Sequence, residues 1–170
     1  MPFDIRTPRP DELERLRDIE RAAGAIFAEV GFADVAAHEP ESAEALAEYT
    51  RAGRAWLIAD DDDLPVGYAV VDIVDGVAHL EQLSVVPERG RQGLGTALLE
   101  HTCTWAAAHG YDAVTLTTFR AVAWNAPYYA KHGFDIMSDD EIGPELRALC
   151  ALEAEHGLEP GQRVCMRRAV

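Results

Sequence analysis

The chain has 170 residues, 48% hydrophobic and 26% charged, and its 30 acidic against 15 basic side chains give a formal net charge of -15. This length and apolar fraction predict one compact domain, residues 1–170, and exclude a disordered chain. The acidic excess argues against nucleic acid and anionic membranes as partners, because both are bound mainly through Lys and Arg, so any phosphate site must be local.

The N-terminal half combines helical and extended patterns. Leu13, Leu16 and Ile19 recur at three-residue steps after Asp11, the predicted N-cap of a first helix. The aspartate run at 60–63 is expected to be a solvated hairpin tip, because the spaced ligands and closing Glu of a calcium loop are missing. The predicted elements are a strand at 3–6, a helix from 11 to about 23, a helix at 41–52, and strands at 55–59 and 66–73.

The C-terminal half begins after the hairpin turn Asp75-Gly76. Asn125 is the predicted cap of a short helix with Pro127 in its first turn, and Gly133 ends that helix. The predicted elements are a strand at 77–86, a helix ending near His109, a strand at 113–119, a helix at 128–132, a strand at 134–137, a helix at 141–156 and a strand at 163–167.

The cysteines and histidines indicate no metal site. Cys103, Cys150 and Cys165 are odd in number and far apart, so neither a disulfide framework nor a zinc site is expected. The six histidines lack metal-ligand spacing. The N-terminus lacks a signal-peptide pattern, and charged residues interrupt every apolar run before transmembrane length. We therefore expect a soluble, cytoplasmic protein with reduced thiols.

A Gly-rich segment, Gly90 to Thr96, connects the strand that stops at Pro87 with the following helix. Its glycines let the backbone approach a ligand, and the helix start directs N–H groups and the positive dipole end at one spot. Arg89 and Arg91 add positive charge, which favours a phosphate ligand over the alternative of a plain tight turn. The order G-x-x-G-x-G differs from the dinucleotide motif G-x-G-x-x-G, and no P-loop Lys-Ser/Thr pair follows.

Three blocks follow one another along the chain: LEQLSVVP at 80–87, RQGLGTALL at 91–99 and NAPYYAKHGF at 125–134. Together they resemble the GNAT superfamily of acyl-CoA-dependent N-acetyltransferases, across nearly the whole chain. Gly93 and Gly95 match the two small positions of the family turn R/Q-x-x-G-x-G/A, whereas its first position is Gly90 here. The family signature Y-x-x-x-G-F is matched by Tyr129, Gly133 and Phe134.

The resemblance implies an α+β (mixed α/β) fold with a mixed, mostly antiparallel sheet flanked by helices. It also implies that the strand ending near Val86 splays from the strand ending near Phe119, with acetyl-CoA in the opening as co-substrate. The backbone of the first strand would pair with the pantetheine arm, and the Gly-rich turn would hold the pyrophosphate. The implied coenzyme contacts are Leu83, Ser84, Val85, Gly90, Arg91, Gln92, Gly93, Leu94, Gly95, Thr96, Asn125 and Tyr128.

Acetyl transfer to an amine requires a base, an oxyanion site and an acid. An amine with a reference pKa of about 10.4 must lose a proton before it attacks the thioester. Backbone N–H groups near Val85 suit the oxyanion. Tyr129 is the predicted acid, because a phenol with a reference pKa of about 10 stays protonated and can donate to the departing sulfur. The alternative role of Tyr129 is aromatic packing before Gly133 and Phe134.

Glu81, on the same strand face as His79, is the predicted base, and either side chain could act through water. A structural salt bridge is the alternative role for Glu81. Glu20 and Glu29 are alternative bases, because the first helical region commonly lines the acceptor pocket in the family. An apolar acceptor wall is predicted, with core packing as the alternative for each member: Phe27, Phe119 and Trp124.

The leading hypothesis is an N-acetyltransferase that moves the acetyl group of acetyl-CoA directly to a primary amine of a small molecule or peptide. The alternative is a non-catalytic acyl-CoA-binding sensor or regulatory module, against which Tyr129 and Glu81 argue because a pure binder needs neither. A nucleotide-binding oxidoreductase is disfavoured by the glycine order. An edge strand near the C-terminus would let two copies pair, so a homodimer is a further expectation.

Overall fold

The computed structural model describes residues 3–170, which form seven strands and six α-helices. The strands are β1 (Asp4–Arg6), β2 (Ala55–Ala59), β3 (Pro65–Val74), β4 (Val77–Val85), β5 (Ala113–Phe119), β6 (Asp135–Ile136) and β7 (Arg163–Ala169). The helices are α1 (Leu13–Ala25), α2 (Ala33–Ala36), α3 (Ala43–Arg51), α4 (Leu94–Ala108), α5 (Ala126–Lys131) and α6 (Pro144–Glu155). Short 3-10 turns lie at Pro10–Glu12, Ile26–Val30, Pro87–Arg89, Asp139–Glu141 and Pro160–Gln162.

The seven strands form a sheet in the order β1-β2-β3-β4-β5-β7-β6. The pairs β1–β2, β2–β3, β5–β7 and β6–β7 are antiparallel, whereas β4 and β5 are parallel, with Ala78 opposite Val114 and His79 opposite Thr115. Asp75 and Gly76 have φ angles of 51° and 76°, the two positive values that a type I′ hairpin turn requires between β3 and β4. The predicted α+β fold with a mixed, mostly antiparallel sheet is confirmed.

Internal contacts divide the described chain into two compact units. The first unit holds the residues up to Val71 together with Glu81–Thr102, and the second holds Asp72–Leu80 together with Cys103–Val170. Strands β3 and β4 contribute residues to both units. The expectation of one domain over residues 1–170 stays a prediction.

In the first unit, α1 buries the apolar stripe that the sequence predicts. Leu16 and Ile19 have no exposed surface, and Leu13 is buried one turn earlier. The helix begins at Leu13 rather than at Asp11, which lies within the 3-10 turn Pro10–Glu12. Asp11 is therefore not the N-cap of α1. The reason is local: Glu12 accepts hydrogen bonds from the backbone N–H of Arg9 and from the guanidinium of Arg6, which stabilises the tighter turn.

The β2–β3 connection is the solvated hairpin tip expected from the aspartate run. Asp60 N–H donates to Leu64 O at 3.0 Å, and residues 61–64 are exposed. Asp60 Oδ1 also accepts from the N–H groups of Asp62 and Leu64, each at 3.0 Å. These bonds close the turn with a single carboxylate.

In the second unit, β7 pairs along its whole length with β5, from Arg163 opposite Phe119 to Ala169 opposite Ala113. Its other side pairs with the two-residue strand β6. The strand nearest the C-terminus is therefore not the last strand in the sheet order, because its Met166 and Arg167 pair with β6. The homodimer stays a prediction.

Helix α6 is fixed by a turn far away in the sequence. Asp75, in the β3–β4 turn, accepts hydrogen bonds from the N–H groups of Glu145 and Leu146 at 2.9 and 3.0 Å, and Glu145 accepts from Asp75 N–H at 2.8 Å. Gly143 makes this contact possible, because a Cβ there would lie 2.5 Å from Asp75 Oδ2. Two N–H groups at the helix start are thus satisfied by a side chain from another element.

Candidate active site

The second half of β4, in the first unit, is the strand predicted to run beside the pantetheine arm. Leu83 and Val85 are half-buried, whereas Ser84 is buried and its Oγ accepts a hydrogen bond from Gln82 Nε2 at 2.7 Å. Gly67 of β3 lies against this stretch, since a Cβ built there would lie 2.9 Å from Ser84 O and 3.1 Å from Val85 Cγ2. Only glycine lets β3 approach β4 this closely, so Gly67 positions the predicted coenzyme-binding backbone.

Residues Gly90 to Gly93 form an exposed turn ahead of α4. Arg91 and Gly93 adopt left-handed conformations, with φ angles of 64° and 79°. The first helical bond runs from Ala97 N–H to Gly93 O at 2.9 Å, so the N–H groups of Leu94 and Gly95 lie ahead of the helical hydrogen bonds. An exposed turn of this kind at a helix N-terminus fits a phosphate group.

Side chains of the turn divide into two groups. Leu94 is buried, so only its backbone can reach a ligand, whereas Arg91 and Gln92 are exposed. Gly95 and Thr96 are half-buried in the first turn of α4. The fit to a phosphate therefore rests on the backbone and on the Arg91 guanidinium.

Arg89, the other arginine predicted near the phosphates, already has a partner. Its Nη2 lies 3.2 Å from Asp60 Oδ2, and its guanidinium carbon lies 5.9 Å from the centroid of the Phe3 ring. Because Asp60 also closes the β2–β3 turn, one carboxylate joins that turn to the start of the Gly-rich turn. The positive charge of Arg89 is thus offset before any anion binds.

A cleft of about 330 Å³ opens beside this ion pair in the first unit. Three aspartates line it, and their negative charge disfavours a phosphate there. The residues lining the cleft are Phe3, Asp60, Asp61, Asp62, Arg89 and Gln92.

Asn125 precedes α5 in the second unit and binds the end of β5. Its Oδ1 accepts hydrogen bonds from Thr118 Oγ1 at 2.6 Å and from Phe119 N–H at 3.2 Å. Asn125 is the N-cap residue of α5, as predicted, but its side-chain carbonyl bonds to β5 and not to the first N–H groups of the helix. Its backbone still accepts the first helical bond, from Tyr129 N–H at 3.0 Å. Asn125 thus connects β5 to the helix that carries the two tyrosines.

Tyr129 lies half-buried on α5 between aromatic neighbours. Its ring centroid is 5.2 Å from that of Tyr128 and 5.8 Å from that of buried Phe134, both in edge-to-face orientation. Gly133, with φ 87°, lets the chain reverse so that Phe134 N–H returns to Tyr129 O at 3.1 Å. Burial, and secondly Tyr128, raises the pKa of Tyr129 above its usual value. Within residues 3–170 its hydroxyl has no hydrogen-bond partner, so a protonated donor is available.

Tyr128 contacts a second ring of α5 besides that of Tyr129. Its ring centroid is 4.6 Å from that of His132, one helical turn further on, and the Tyr128 side chain is half-buried. A half-buried ring at this position can pack against a ligand.

The two base candidates on β4 differ in burial. Glu81 is half-buried in the first unit, whereas His79, in the second, is 1% exposed. His79 Nδ1 lies 2.9 Å from Thr115 Oγ1 on β5, and burial, followed by the charge of Arg163, lowers the pKa of His79 to about 4. An enclosed imidazole with this pKa is a poor proton acceptor, so Glu81 is the better candidate of the two.

A second half-buried carboxylate lies in the first unit. Glu20 of α1 accepts a hydrogen bond from the hydroxyl of Tyr68, a fully buried residue of β3. Burial raises the pKa of Glu20, although the Tyr68 hydrogen bond acts in the opposite direction. Within residues 3–170 no cation forms an ion pair with Glu20. Glu29, the other alternative base, is exposed on the 3-10 turn Ile26–Val30.

The three aromatic residues of the predicted acceptor wall have different surroundings. Phe27 is half-buried in the first unit and meets the Phe32 ring edge-to-face, with centroids 6.5 Å apart. In the second unit Phe119 is 3% exposed, with the Arg163 guanidinium carbon 4.7 Å from its ring centroid, whereas Trp124 is 38% exposed. Phe119 thus packs in the core, whereas Trp124 lies partly at the surface.

Residues that support the site were missed by sequence reasoning. Tyr68, Gly67 and Thr118 all lie in apolar strands and read as ordinary strand residues, and Asp60 read as part of a solvated turn. Each acts through a partner distant in the chain, as in the 48-residue separation of Tyr68 from Glu20. The only signal in the sequence was the pattern of apolar and polar residues along the strands. That pattern predicts a strand but not the distant residue that each side chain contacts.

Two further properties hold for residues 3–170. No helix there combines the length and apolar character needed to cross a membrane. No group of three or more His, Cys, Asp or Glu side chains is arranged to hold a metal ion.

A mixed, mostly antiparallel sheet with flanking helices is the fold expected of the acyl-CoA-dependent acetyltransferases. The model of the acetyltransferase (GNAT) family matches residues 14–134. The chain therefore belongs to the GNAT family of acetyltransferases, enzymes whose acetyl donor is acetyl-CoA. The expected family, enzyme class and co-substrate are confirmed.

Individual relatives agree with this assignment. The chain is 26% identical over 142 residues to the peptidyl-lysine N-acetyltransferase YjaB of Salmonella typhimurium, covering 84% of this chain and 90% of the relative. Its fold is similar to that of the PaiA N-acetyltransferase from Thermoplasma acidophilum, solved with coenzyme A, at a TM-score of 0.66, 17% identity and 100% coverage of both chains. The ribosomal-protein-S18-alanine N-acetyltransferase from Escherichia coli has a TM-score of 0.67 and 20% identity, with coverage of 99% of this chain and 94% of the other.

Proposed function

We propose that this acetyltransferase transfers the acetyl group of acetyl-CoA directly to a primary amine of a small molecule or peptide. The observation that carries the proposal is the Tyr129 hydroxyl, whose pKa is raised by burial and whose donor has no partner within residues 3–170. A protein that only sensed acyl-CoA would need no such proton donor. Tyr129 therefore favours turnover over the alternative of a non-catalytic sensor.

The co-substrate supplies the thioester, and the chain supplies its binding groups. The backbone of Leu83, Ser84 and Val85 is proposed to pair with the pantetheine arm, with an N–H of this stretch polarising the thioester carbonyl. The exposed turn ahead of α4 is proposed to bind the pyrophosphate through N–H groups and Arg91. Arg89 acts indirectly, because its guanidinium is paired with Asp60.

In the proposed reaction the amine nitrogen attacks the thioester carbon after a base removes a proton. A C–N bond forms, the C–S bond breaks, and the coenzyme leaves as a thiolate. Tyr129 donates its proton to that thiolate, and solvent protons restore the phenol. The raised pKa of Tyr129 keeps the phenol protonated until the sulfur departs.

Glu81 is the proposed base, and Glu20 is the alternative. A half-buried strand carboxylate supports Glu81, whereas the raised pKa of Glu20 would suit proton removal near neutral pH. Comparing Glu81→Gln with Glu20→Gln in pH profiles of kcat/KM assigns the role. The base is identified by the variant in which the fall of kcat/KM at low pH disappears. The matched control is Tyr68→Phe, which keeps the Glu20 carboxylate but removes its hydrogen bond.

The function is tested in two steps. Calorimetry with acetyl-CoA and with free coenzyme A should give measurable binding of both, and absence of binding would contradict the coenzyme assignment. A panel of amines is then assayed by coenzyme thiol release, beginning with lysine peptides because a relative is named a peptidyl-lysine N-acetyltransferase. Release that is lost in Tyr129→Phe supports the enzyme, whereas tight binding without turnover on any amine supports the sensor.

A further inference from the structure

Two cysteines that are far apart in the sequence lie side by side in the second unit. Cys150 of α6 and Cys165 of β7 are separated by 15 residues, yet their Sγ atoms are 3.4 Å apart and share a hydrogen bond. Cys165 is buried, whereas Cys150 is half-buried. Cys165 is therefore shielded from solvent, whereas Cys150 keeps part of its surface exposed.

The elements that carry the two thiols are held independently of them. Cys165 lies opposite Thr117 of β5, and its carbonyl accepts a hydrogen bond from Met137 N–H at 2.8 Å. Helix α6 is anchored at its start by Asp75, and Leu146 from that first turn packs with Cys165 in the same apolar cluster. The proximity of the two sulfurs is thus imposed by the fold and not by a flexible loop.

We propose that Cys150 and Cys165 are a modification site, at which a hydroperoxide converts the two thiols into a reversible disulfide between α6 and β7. The sulfurs already lie 3.4 Å apart. Because a disulfide bond is about 2.05 Å long, the two sulfurs need to approach by only about 1.4 Å. This proposal does not depend on the acceptor or on the catalytic residues.

The two thiols have different roles in the reaction. The hydrogen bond from Cys165 lowers the pKa of Cys150, and the same bond together with burial raises the pKa of Cys165. Glu153, whose negative charge opposes thiolate formation, is ion-paired with Arg163 at 3.2 Å. Cys150, more accessible and more easily ionised, is therefore the attacking thiol.

The chemistry proceeds in two balanced steps. The Cys150 thiolate attacks one oxygen of the hydroperoxide, the O–O bond breaks, and a sulfenic acid and an alcohol form, or water when the oxidant is hydrogen peroxide. The Cys165 sulfur then attacks the sulfenic sulfur, the S–S bond forms, and the hydroxyl group leaves as water with the Cys165 proton. The two thiols lose two electrons in total, and the peroxide gains them. A dithiol reductant reverses the change by thiol–disulfide exchange.

Closing the chain between α6 and β7 restricts the unfolded state, so oxidation should stabilise the protein. For a closed loop of this length we expect the Tm of the oxidised protein to rise by roughly 5–10 °C. The rise should disappear after treatment with a dithiol.

The experiment uses the full reduced chain, treated with stoichiometric hydrogen peroxide. We expect an intact mass lower by two hydrogens, a fall from three titratable thiols to one in denaturant, a mapped Cys150–Cys165 peptide and the higher Tm. Cys103→Ser should show the same changes, except that its titratable thiols fall from two to none. Cys150→Ser, which replaces a half-buried thiol with a hydroxyl of similar size, should lose them.

Three results would overturn the proposal: an unchanged mass and thiol count, oxygen added to Cys150 without a cross-link, or a cross-link that persists in Cys150→Ser. Cys165→Ser, which removes the buried thiol of the pair, should lose the cross-link as well. If that variant does not fold, peptide mapping of the wild-type protein and the Cys150→Ser result still decide the question.

Discussion

The Gly-rich turn of the first unit and the α5 segment of the second use opposite means to prepare a chemical group. In the turn, Arg91 and Gly93 take left-handed conformations, and the groups offered to a ligand are mainly backbone N–H groups. In the α5 segment the group is one side-chain hydroxyl, that of Tyr129, held by aromatic packing against Phe134. The turn should therefore be sensitive to backbone conformation, and the α5 segment to the identity of one side chain.

The two regions also differ in the charged groups that surround them. Near the turn, the Arg89 guanidinium is offset by Asp60, so exposed Arg91 supplies the available positive charge. Around Tyr129 the neighbours are aromatic rings, and burial keeps the phenol neutral. Variants in each region test whether this division holds.

The largest effect is expected from Tyr129→Phe. Loss of the proton donor should lower kcat about a hundredfold, in the range of general acid catalysis, with little change in acetyl-CoA affinity. Thiol release and calorimetry measure the two quantities. Tyr128→Phe, on the same helix, should remain within a few-fold of wild type, and equal losses in both variants would show that packing, not the hydroxyl, matters.

His79 of the second unit is a buried residue that takes no part in the proposed reaction, so its substitution should change stability. Its pKa is lowered to about 4 when folded, so the unfolded chain takes up the proton first. Stability should be full above pH 6.5 and should fall as the pH drops towards 4, by about 1–2 kcal/mol near pH 5.

Urea unfolding across this pH range measures the slope. The slope should flatten in His79→Gln, with exposed His156→Gln as the control for the chemical change. A slope that survives the His79 substitution would mean that other groups cause it.

Gly93→Ala tests the backbone side of the comparison. A side chain at φ 79° is strained by about 1 kcal/mol, so acetyl-CoA affinity should fall roughly fivefold while kcat at saturation changes little. Gly90→Ala is the matched control, because its φ of -61° is allowed for a side chain, whose Cβ would lie 3.2 Å from Pro87 O. Calorimetry that finds the two variants equally weak would contradict a role for the left-handed conformation.

The smallest effect is expected from the arginines. Arg91→Ala should weaken acetyl-CoA binding about threefold at low salt and less at high salt, because an exposed cation contributes modestly. Arg89→Ala should have a smaller direct effect, because that charge is already paired with Asp60. A larger loss in Arg89→Ala would mean that the Asp60 pair opens when the coenzyme binds.

Local features were predictable from the sequence because they depend on neighbouring residues. The alternation of residues 3–6 and the apolar stripe of the first helix predicted β1 and α1, although the 3-10 turn at Pro10–Glu12 displaced the helix start. The turn from Gly90 to Thr96 and the Tyr129, Gly133 and Phe134 motif were readable for the same reason, since short spacings carry them.

Tertiary structure decided the pairings that join distant segments. Nothing near Asn125 in the sequence reveals that its side chain bonds to Thr118 and Phe119 instead of capping α5, and nothing near Asp60 reveals Arg89. In the sequence Cys150 and Cys165 are two unrelated thiols, and only the packing of α6 on β7 brings their sulfurs together. Such contacts depend on how elements pack in three dimensions, which a local pattern does not encode. The sequence by itself thus determined the family and its motifs, while packing determined which charges, hydroxyls and thiols are paired.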